Sequence, residues 1–188
     1  MNLSMVVFLV ITFSLSSSQL WAAEISGVRF AETYQDQGVV LKLRGTGLKT
    51  AFFFNAFAAG YYSADGANSY ELARFPKRIE VEYFVNIPKR KLSAYTIEQM
   101  KENVSDTEFD QIRAQVKLME DFFVDLKSGD RFSLTYLPGV GTKFAHNDQL
   151  TGIIQGEDFA RALFAVWLGE KPFDRQLKTQ ICGEAKVS

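Results

Sequence analysis

Hydrophobic and polar residues alternate in three stretches of the chain, which is the pattern of β-strands with one buried face. The first stretch is Val39–Arg44, with an apolar side chain at every second position. The second, Ile79–Ile87, is the most regular, and Pro88 is expected to end it because proline has no N–H to donate to a sheet. The third is Arg131–Leu137. These stretches predict strands that pair in a sheet.

A fourth stretch, Ala51–Tyr62, is almost continuously apolar and aromatic. We interpret it as one strand buried on both faces, although periodicity alone also allows a buried helix. In a regular strand, Phe53, Asn55 and Phe57 point to the same side. A mostly apolar face with one amide, preceded by Lys49, is typical of a pocket for a hydrophobic molecule with an anionic or carbonyl end. The alternative is that Asn55 caps a sheet edge and the aromatic residues are ordinary core.

Helices are predicted between and after these strands. Lys91–Asn103 forms the first, and Ser105 with Glu108 forms a capping box that begins the second. The second helix continues through apolar residues spaced by three and four, up to Leu126 and the stop at Gly129: Phe109, Ile112, Val116, Met119, Phe123 and Leu126.

Two turns and a last helix complete the prediction. The turns lie at Pro138–Gly141 and at Asn147-Asp148, and the helix runs over Glu157–Leu168 and stops at Gly169. The order of the elements indicates an α+β domain, in which a large antiparallel sheet carries a helical layer on one side.

The N-terminal residues predict a secretory signal peptide. Met1–Ala23 has no charged residue, and its apolar run is too short to span a bilayer, which requires roughly 20 residues. Small residues permit cleavage after Ala22 or Ala23. We therefore expect a signal peptide over residues 1–23, one domain over residues 24–188, and a periplasmic or secreted protein. The alternative is an uncleaved membrane anchor.

Composition excludes several classes of protein. Among 188 residues, Lys and Arg number 21 and Asp and Glu 22, so the chain lacks the basic excess of an electrostatic nucleic-acid binder. One Cys and one His cannot build a zinc site or an intramolecular disulfide. We expect no cofactor and no metal. Cys182 is interpreted as a buried apolar residue or, alternatively, as a thiol that links two chains; a monomer or a weak homodimer is expected.

Motifs of common enzymes do not match the chain. Gly45–Thr50 resembles a phosphate-binding loop, but Leu48 stands where the loop needs a glycine before the lysine. Gly139-Val140-Gly141 joins two predicted strands, so it is not a dinucleotide fingerprint. His146 stands alone beside a turn, and the chain has no GxSxG elbow of a serine hydrolase.

An ordered set of motifs resembles the chalcone isomerase-like family, and within it the exported bacterial branch. The set begins with GTGLK at 45–49 and FFFNAFAAGYY at 52–62, and continues with YLPGVGT at 136–142, Thr151-Gly152 and WLG at 167–169. This resemblance covers about Ile25 to Ile181. It implies an open-faced β-sandwich, in which a large antiparallel sheet carries a helical layer, and a ligand cleft between sheet and helices.

The same resemblance implies which residues would do chemistry. Enzymes of the family close a ring by adding a phenolate to an enone, with an Arg, two Thr, a Tyr and an Asn at the site. By motif, the Arg position falls at Lys49, the first Thr at Phe57 and the Tyr at about Leu92. The Asn falls at about Gln99, and the second Thr at Thr151. A slip of one helical turn would replace Leu92 by Tyr95.

Two hydroxyl groups are thus missing, and a donor to a developing oxyanion is worth several kcal/mol of barrier. We therefore expect a non-catalytic protein that binds a hydrophobic carboxylate such as a fatty acid. Lys49 or Arg44 would hold the head group, with the other expected ligand-binding residues being Phe53, Asn55, Phe57, Leu92, Tyr95, Gln99 and Thr151. The first alternative is an isomerase or intramolecular lyase that uses Lys49, Gln99 and Thr151. The second is a structural protein whose cleft is filled by its own side chains.

Overall fold

The structure is a computed structural model that describes residues 21–64 and 75–183. Most of the predicted signal peptide, residues 1–20, lies outside the described residues. Its last three residues are described, and they belong to a short strand that begins at Trp21. Cleavage after Ala23 would therefore shorten this strand. None of the helices in the described ranges is long and apolar enough to cross a membrane.

In the described residues, nine strands form two sheets. A hairpin of β1 (Trp21–Ile25) and β2 (Val28–Ala31) is separate from a seven-stranded sheet, in which each strand pairs antiparallel with the next along the chain. The sheet consists of β3 (Thr33–Asp36), β4 (Val39–Ala51), β5 (Phe54–Ser63), β6 (Lys77–Tyr83), β7 (Arg131–Leu137), β8 (Gly141–His146) and β9 (Gln149–Ile154). It curls, so that Lys143 Nζ of β8 reaches Asp36 Oδ2 of β3 at 2.7 Å.

Among residues 21–64 and 75–183, five helices cover one face of this sheet. They are α1 (Lys89–Asn103), α2 (Asp106–Gln111), α3 (Arg113–Phe122), α4 (Glu157–Leu168) and α5 (Arg175–Ile181). Helix α1 packs on α4, α3 lies against β9, and α5 lies against β4. The predicted α+β class and the helical layer on one side of an antiparallel sheet are confirmed. The β1–β2 hairpin contacts β4 and was not predicted.

Each face of the sheet has its own hydrophobic core. The larger core lies under the helices and includes Phe144, Phe159 and Leu163, which are fully buried. The smaller core lies under the β1–β2 hairpin, around Phe30 and Ala58. Alternation along β5 supplies both, because Ala59 joins the larger core while Ala58 joins the smaller one.

The prediction of one strand over Ala51–Tyr62 is wrong. A hairpin turn separates β4 from β5 at Phe52 and Phe53, and Phe52 adopts a φ of 55°. A β-bulge follows, because Lys49 pairs with Phe57 whereas Thr50 pairs with Asn55, which leaves Ala56 unopposed. The extra residue breaks the alternation, so Asn55 does not share the helix-facing side of Phe57.

The second predicted helix is also shorter than expected. It is broken at Ile112 into α2 and α3 and ends at Phe122, whereas the prediction carried it to Leu126. Leu126 is nevertheless buried, because an extended segment pairs it with Ile87 in an isolated bridge. The same bridge lies beyond the end of β6, which stops at Tyr83 rather than at the predicted Ile87.

Other local predictions agree with the structure. The Ser105–Glu108 capping box begins α2, and α4 has the predicted bounds. Asn147 and Asp148 both have positive φ, at 48° and 62°, as a tight two-residue hairpin turn requires. These segments carry strong local signals, so little tertiary information was needed to place them.

Candidate ligand-binding cleft

A cavity of about 340 Å³ lies between the sheet and the helices. Its floor is the end of the β4–β5 pair with Tyr83 of β6, and its roof is the first two turns of α1. The remaining wall comes from the end of α4 and the segment that leads to α5. Its volume is near the lower end of the range for small-molecule pockets, roughly 300–1,000 Å³. The lining residues are Lys49, Ala56, Phe57, Tyr83, Ile87, Lys91, Leu92, Tyr95, Thr96, Val166, Trp167 and Phe173.

Aromatic rings form most of the wall. The Phe57 ring centroid lies 5.6 Å from that of Tyr83, 5.9 Å from that of Trp167 and 6.2 Å from that of Phe173. Trp167 and Phe173 meet edge to face at 4.9 Å. These are the spacings of favourable aromatic pairs, so the rings support one another. The wall is therefore an apolar surface with a defined shape.

Lys49 supplies one cation of the cleft, and it already has a partner. Its Nζ donates to Asp174 Oδ2 at 2.5 Å, and Asp174 also caps α5 by accepting from the backbone N–H of Leu177 at 2.9 Å. Desolvation by itself would raise the pKa of Asp174, but these hydrogen bonds outweigh it and lower the pKa below its ordinary value. Asp174 is therefore ionised at neutral pH and balances Lys49.

The other polar groups of the cleft lie on α1. Lys91 is exposed in its first turn, and Tyr95 lies one turn further on, half exposed. Partial burial raises the pKa of Tyr95, and the nearby charge of Lys49 acts in the opposite direction. Thr96 Oγ1 donates to the carbonyl of Leu92 at 2.8 Å, so its hydrogen is used within the helix. The cleft thus has an apolar interior and two cations among its lining residues.

Four of the residues expected at the site do line this cavity: Lys49, Phe57, Leu92 and Tyr95. Leu92 and Tyr95, the two residues of α1 expected as alternatives for the Tyr position of the family, both line the cleft, because they lie one turn apart on the same side of the helix.

The other five expected residues lie elsewhere. Arg44 Nε donates to Ser63 Oγ at 2.7 Å, beyond the bulge toward the opposite end of the β4–β5 pair. Asn55 Nδ2 lies 3.4 Å from Ser26 Oγ of the β1–β2 turn, on the other face of the sheet. Thr151 belongs to β9, at the edge of the sheet and far from β4 in strand order, and Phe53 is at the hairpin tip. Gln99 is on α1 but not among the lining residues.

Several lining residues had no clear signal in the sequence. Phe173 follows the last predicted helix, in a region without periodicity, as does Asp174, which pairs with the lining residue Lys49. Tyr83 is predicted only as part of a strand. Trp167 appeared in a family motif without an assigned role. Only the fold brings the chain after α4 back across the cleft, so no local pattern could have indicated it.

A second, more polar cavity of about 460 Å³ lies where α1, α2 and the end of α4 meet. Arg161 donates to Glu108 at 3.0 Å, and the lining residues also include a second cation, Lys171, and two further carboxylates, Glu102 and Glu170. The lining residues thus include three carboxylates and two cations but no aromatic ring. The apolar cleft fits the features of a binding site better, because it is enclosed by rings and has few polar groups.

Comparison with known protein families identifies the class of this protein. The family model described as chalcone isomerase-like matches residues 22–183. The chain therefore belongs to the chalcone isomerase-like family. Comparison with curated protein sequences finds no match.

Among solved structures, the chain is similar to the crystal structure of a fatty-acid binding protein of Arabidopsis thaliana. The TM-score is 0.62 at 15% sequence identity, and the match covers 84% of this chain and 93% of that one. At this identity the likeness concerns the fold, which agrees with the sheet and helical layer described above.

Proposed function

We propose that this protein is an exported, non-catalytic carrier of hydrophobic carboxylates such as fatty acids. The observation that carries the proposal is the cleft itself, an aromatic-walled cavity of about 340 Å³ with Lys49 and Lys91 among its lining residues. An apolar interior favours an alkyl chain, and cations favour the carboxylate. The similarity in fold to a fatty-acid binding protein adds support.

Lys91 is the head-group cation that we favour, because Lys49 is balanced by Asp174. Lys91 is exposed in the first turn of α1, where no acidic residue accompanies it. A carboxylate there would also lie near the N-terminus of α1, whose dipole favours negative charge and where Asp125 already accepts from the backbone N–H of Lys89 at 2.7 Å. Lys49 would then contribute only to the extent that a ligand competes with Asp174.

Calorimetry on delipidated protein tests the proposal, with dodecanoate and dodecanol as probes. We expect dodecanoate to bind and dodecanol, which has the same chain without the charge, to bind more weakly. Lys91→Ala should remove that preference, whereas Lys117→Ala, at an exposed lysine of α3 outside the cleft, should leave it unchanged. Absence of dodecanoate binding by wild type would refute the carrier function.

Export is the part of the proposal that rests on the N-terminal sequence. We expect cleavage after Ala22 or Ala23 and recovery of the protein from the periplasm or the medium. The intact mass of protein recovered from an expressing bacterium reports the cleavage site directly. A mass that includes residue 1, found in the membrane fraction, would favour the uncleaved anchor.

A second candidate is an isomerase or intramolecular lyase acting on an enone-like substrate. It is favoured by one observation, that the Tyr95 hydroxyl group and Lys49 belong to the same cleft and interact electrostatically. Turnover of a chalcone, lost in both Lys49→Ala and Tyr95→Phe, would support the enzyme; turnover retained in both would exclude these residues from catalysis. The alternative of a structural protein predicts a cleft filled by its own side chains, whereas this cleft contains a cavity of about 340 Å³.

A further inference from the structure

The tip of the β4–β5 hairpin exposes three consecutive phenylalanines. Phe52 is 94% exposed, Phe53 is fully exposed and Phe54 is 52% exposed. Large aromatic rings are normally buried, and such a group on a surface marks a site of interaction. We call Phe52–Phe54 the aromatic tip.

The fold does not require aromatic residues at this turn. Phe52 has a φ of 55°, a left-handed conformation that glycine or asparagine adopts more easily than a bulky residue. The three rings take part in none of the aromatic pairs found among the described residues. Their presence is therefore better explained by contact with something outside the chain.

The aromatic tip lies beside the mouth of the cleft. Ala51 pairs with Phe54, and two residues further along, Lys49 pairs with Phe57. Lys49, Ala56 and Phe57 all line the cavity. The tip is thus an extension of the same strand pair that forms the floor of the cleft.

Positive charge lies at the start of α1, which forms the roof of the cleft. Helix α1 begins with Lys89, Arg90 and Lys91, and Lys91 lines the cavity. Within the described ranges none of the three forms an ion pair; the carboxylate of Asp125 accepts from the backbone N–H of Lys89 at 2.7 Å. Cations at a helix N-terminus oppose the helix dipole, so this cluster does not serve the stability of α1.

Exposed aromatic rings beside a cluster of cations match the chemistry of an anionic lipid surface. The rings insert at the interface, and the cations attract the head groups. We propose that the aromatic tip and Lys89–Lys91 dock the protein on an anionic bilayer with the mouth of the cleft facing the lipid. The docking does not depend on what the cleft holds; its use as an entrance for an amphiphile rests on the proposed function.

Flotation with lipid vesicles tests the docking. The protein is used as recovered from an expressing bacterium, with the same N-terminus confirmed by mass in every variant. We expect wild type to float with vesicles of phosphatidylcholine and phosphatidylglycerol, and to bind pure phosphatidylcholine more weakly. The double variant Phe52→Ser, Phe53→Ser should bind the mixed vesicles about tenfold more weakly or worse.

Two further variants separate the contributions. Lys89→Gln with Arg90→Gln should weaken binding to the anionic vesicles by about tenfold and reduce its dependence on salt. Leu150→Ser removes an apolar side chain that is 58% exposed in β9, away from the tip, and should change nothing. Circular dichroism of each variant checks that the fold is retained.

Three results would overturn the docking. The first is failure of wild type to bind either kind of vesicle. The second is unchanged vesicle binding by the Phe52→Ser, Phe53→Ser variant. The third is a dimer of wild type in the absence of lipid, seen by ultracentrifugation and lost in this variant, which would assign the aromatic tip to contact with a second copy. Dodecanoate binding in the same variant keeps the two proposals distinguishable. It should be unchanged, because the substituted residues do not line the cavity.

Discussion

Asp174 neutralises Lys49, a lining residue of the cleft, with Oδ2 2.5 Å from Nζ. Lys49 lies on β4 and Asp174 directly before α5, so the pair joins the sheet to the last helix. Both side chains are partly shielded from water, 33% and 17% exposed. An incoming carboxylate must compete with Asp174 for Lys49, and this competition sets how much Lys49 contributes to binding.

Asp174→Asn is expected to strengthen dodecanoate binding. The amide keeps an oxygen that can accept from Leu177 N–H, so α5 retains its cap, but the charge that balances Lys49 is removed. An ion pair of this exposure is worth about 0.2–1 kcal/mol, so the gain should be up to about fivefold. Calorimetry measures it.

Dodecanol provides the control for this prediction. Its binding should be the same in wild type and in Asp174→Asn, because it has no charge for Lys49 to attract. A gain shared by both probes would show that the substitution reshaped the cleft. Unchanged dodecanoate binding would show that Lys49 does not reach the head group.

Trp167 should report the entry of a ligand. Its ring lies 4.9 Å from Phe173 and 5.9 Å from Phe57, within the wall of the cleft. A bound alkyl chain displaces water from this wall, so dodecanoate should shift the tryptophan emission to shorter wavelength. Trp167→Phe should lose the shift while calorimetry still detects binding. A shift that persists in this variant would place the ligand elsewhere.

Gly45 allows α5 to lie directly on β4. A Cβ built at Gly45 would meet the carbonyl oxygens of Gln180 and Ile181 at 2.4 and 2.9 Å. These are backbone atoms, which cannot move aside as a flexible side chain does. The GTG motif that resembled a phosphate loop therefore has a packing role in the structure.

Gly45→Ala is expected to reduce the free energy of unfolding by about 1–3 kcal/mol or more, as overpacking typically does. Thermal or urea unfolding measures the change. The matched control is Thr50→Ala at an exposed position of the same strand, which should cost less than about 1 kcal/mol. Equal effects of the two substitutions would contradict the close approach.

The predictions from sequence succeeded where a single local pattern decided the structure. The Asn147-Asp148 turn and the Ser105–Glu108 capping box are each specified by a few neighbouring residues. The prediction of one buried strand over Ala51–Tyr62 failed. High hydrophobicity predicts burial, whereas here Phe52 and Phe53 form an exposed turn. An apolar turn has no sequence signal of its own, since turns are recognised by glycine, proline and polar residues.

The candidate site was only partly predictable for a different reason. Lys49 on β4 pairs with Phe57 on β5, so a motif that places one of them also places the other. Asp174, Trp167 and Phe173 reach the cleft only because α4 and α5 pack on the same face of the sheet. Such contacts depend on the whole fold, and no spacing along the chain encodes them.

Lys77 is a buried cation at the start of β6, next to the larger core. Its side chain lies over two rings, with Nζ 5.0 Å from the Tyr136 centroid and 5.6 Å from that of Phe164, and the residue is only 2% exposed. Burial lowers the pKa of Lys77 from 10.5 to about 7. In the unfolded chain the same lysine titrates near its ordinary value, so the two states bind different numbers of protons.

This difference gives a stability that depends on pH. Between about pH 7 and pH 10.5 the unfolded state holds the proton more often than the folded state, so the Lys77 contribution to the free energy of unfolding rises with pH. The slope is at most about 1.4 kcal/mol per pH unit. Below the folded pKa the unfavourable effect of the buried charge is complete and the slope vanishes.

Lys77→Met should therefore be more stable than wild type at pH 7, by about 1–4 kcal/mol, with the difference shrinking toward pH 9.5. Urea unfolding of both proteins across this range measures it, and comparison of the two cancels the titration of other groups. Lys117→Met, at an exposed position of α3, is the matched control for the loss of a lysine side chain. A Lys77→Met variant less stable than wild type at every pH would mean that the ammonium group stabilises the core.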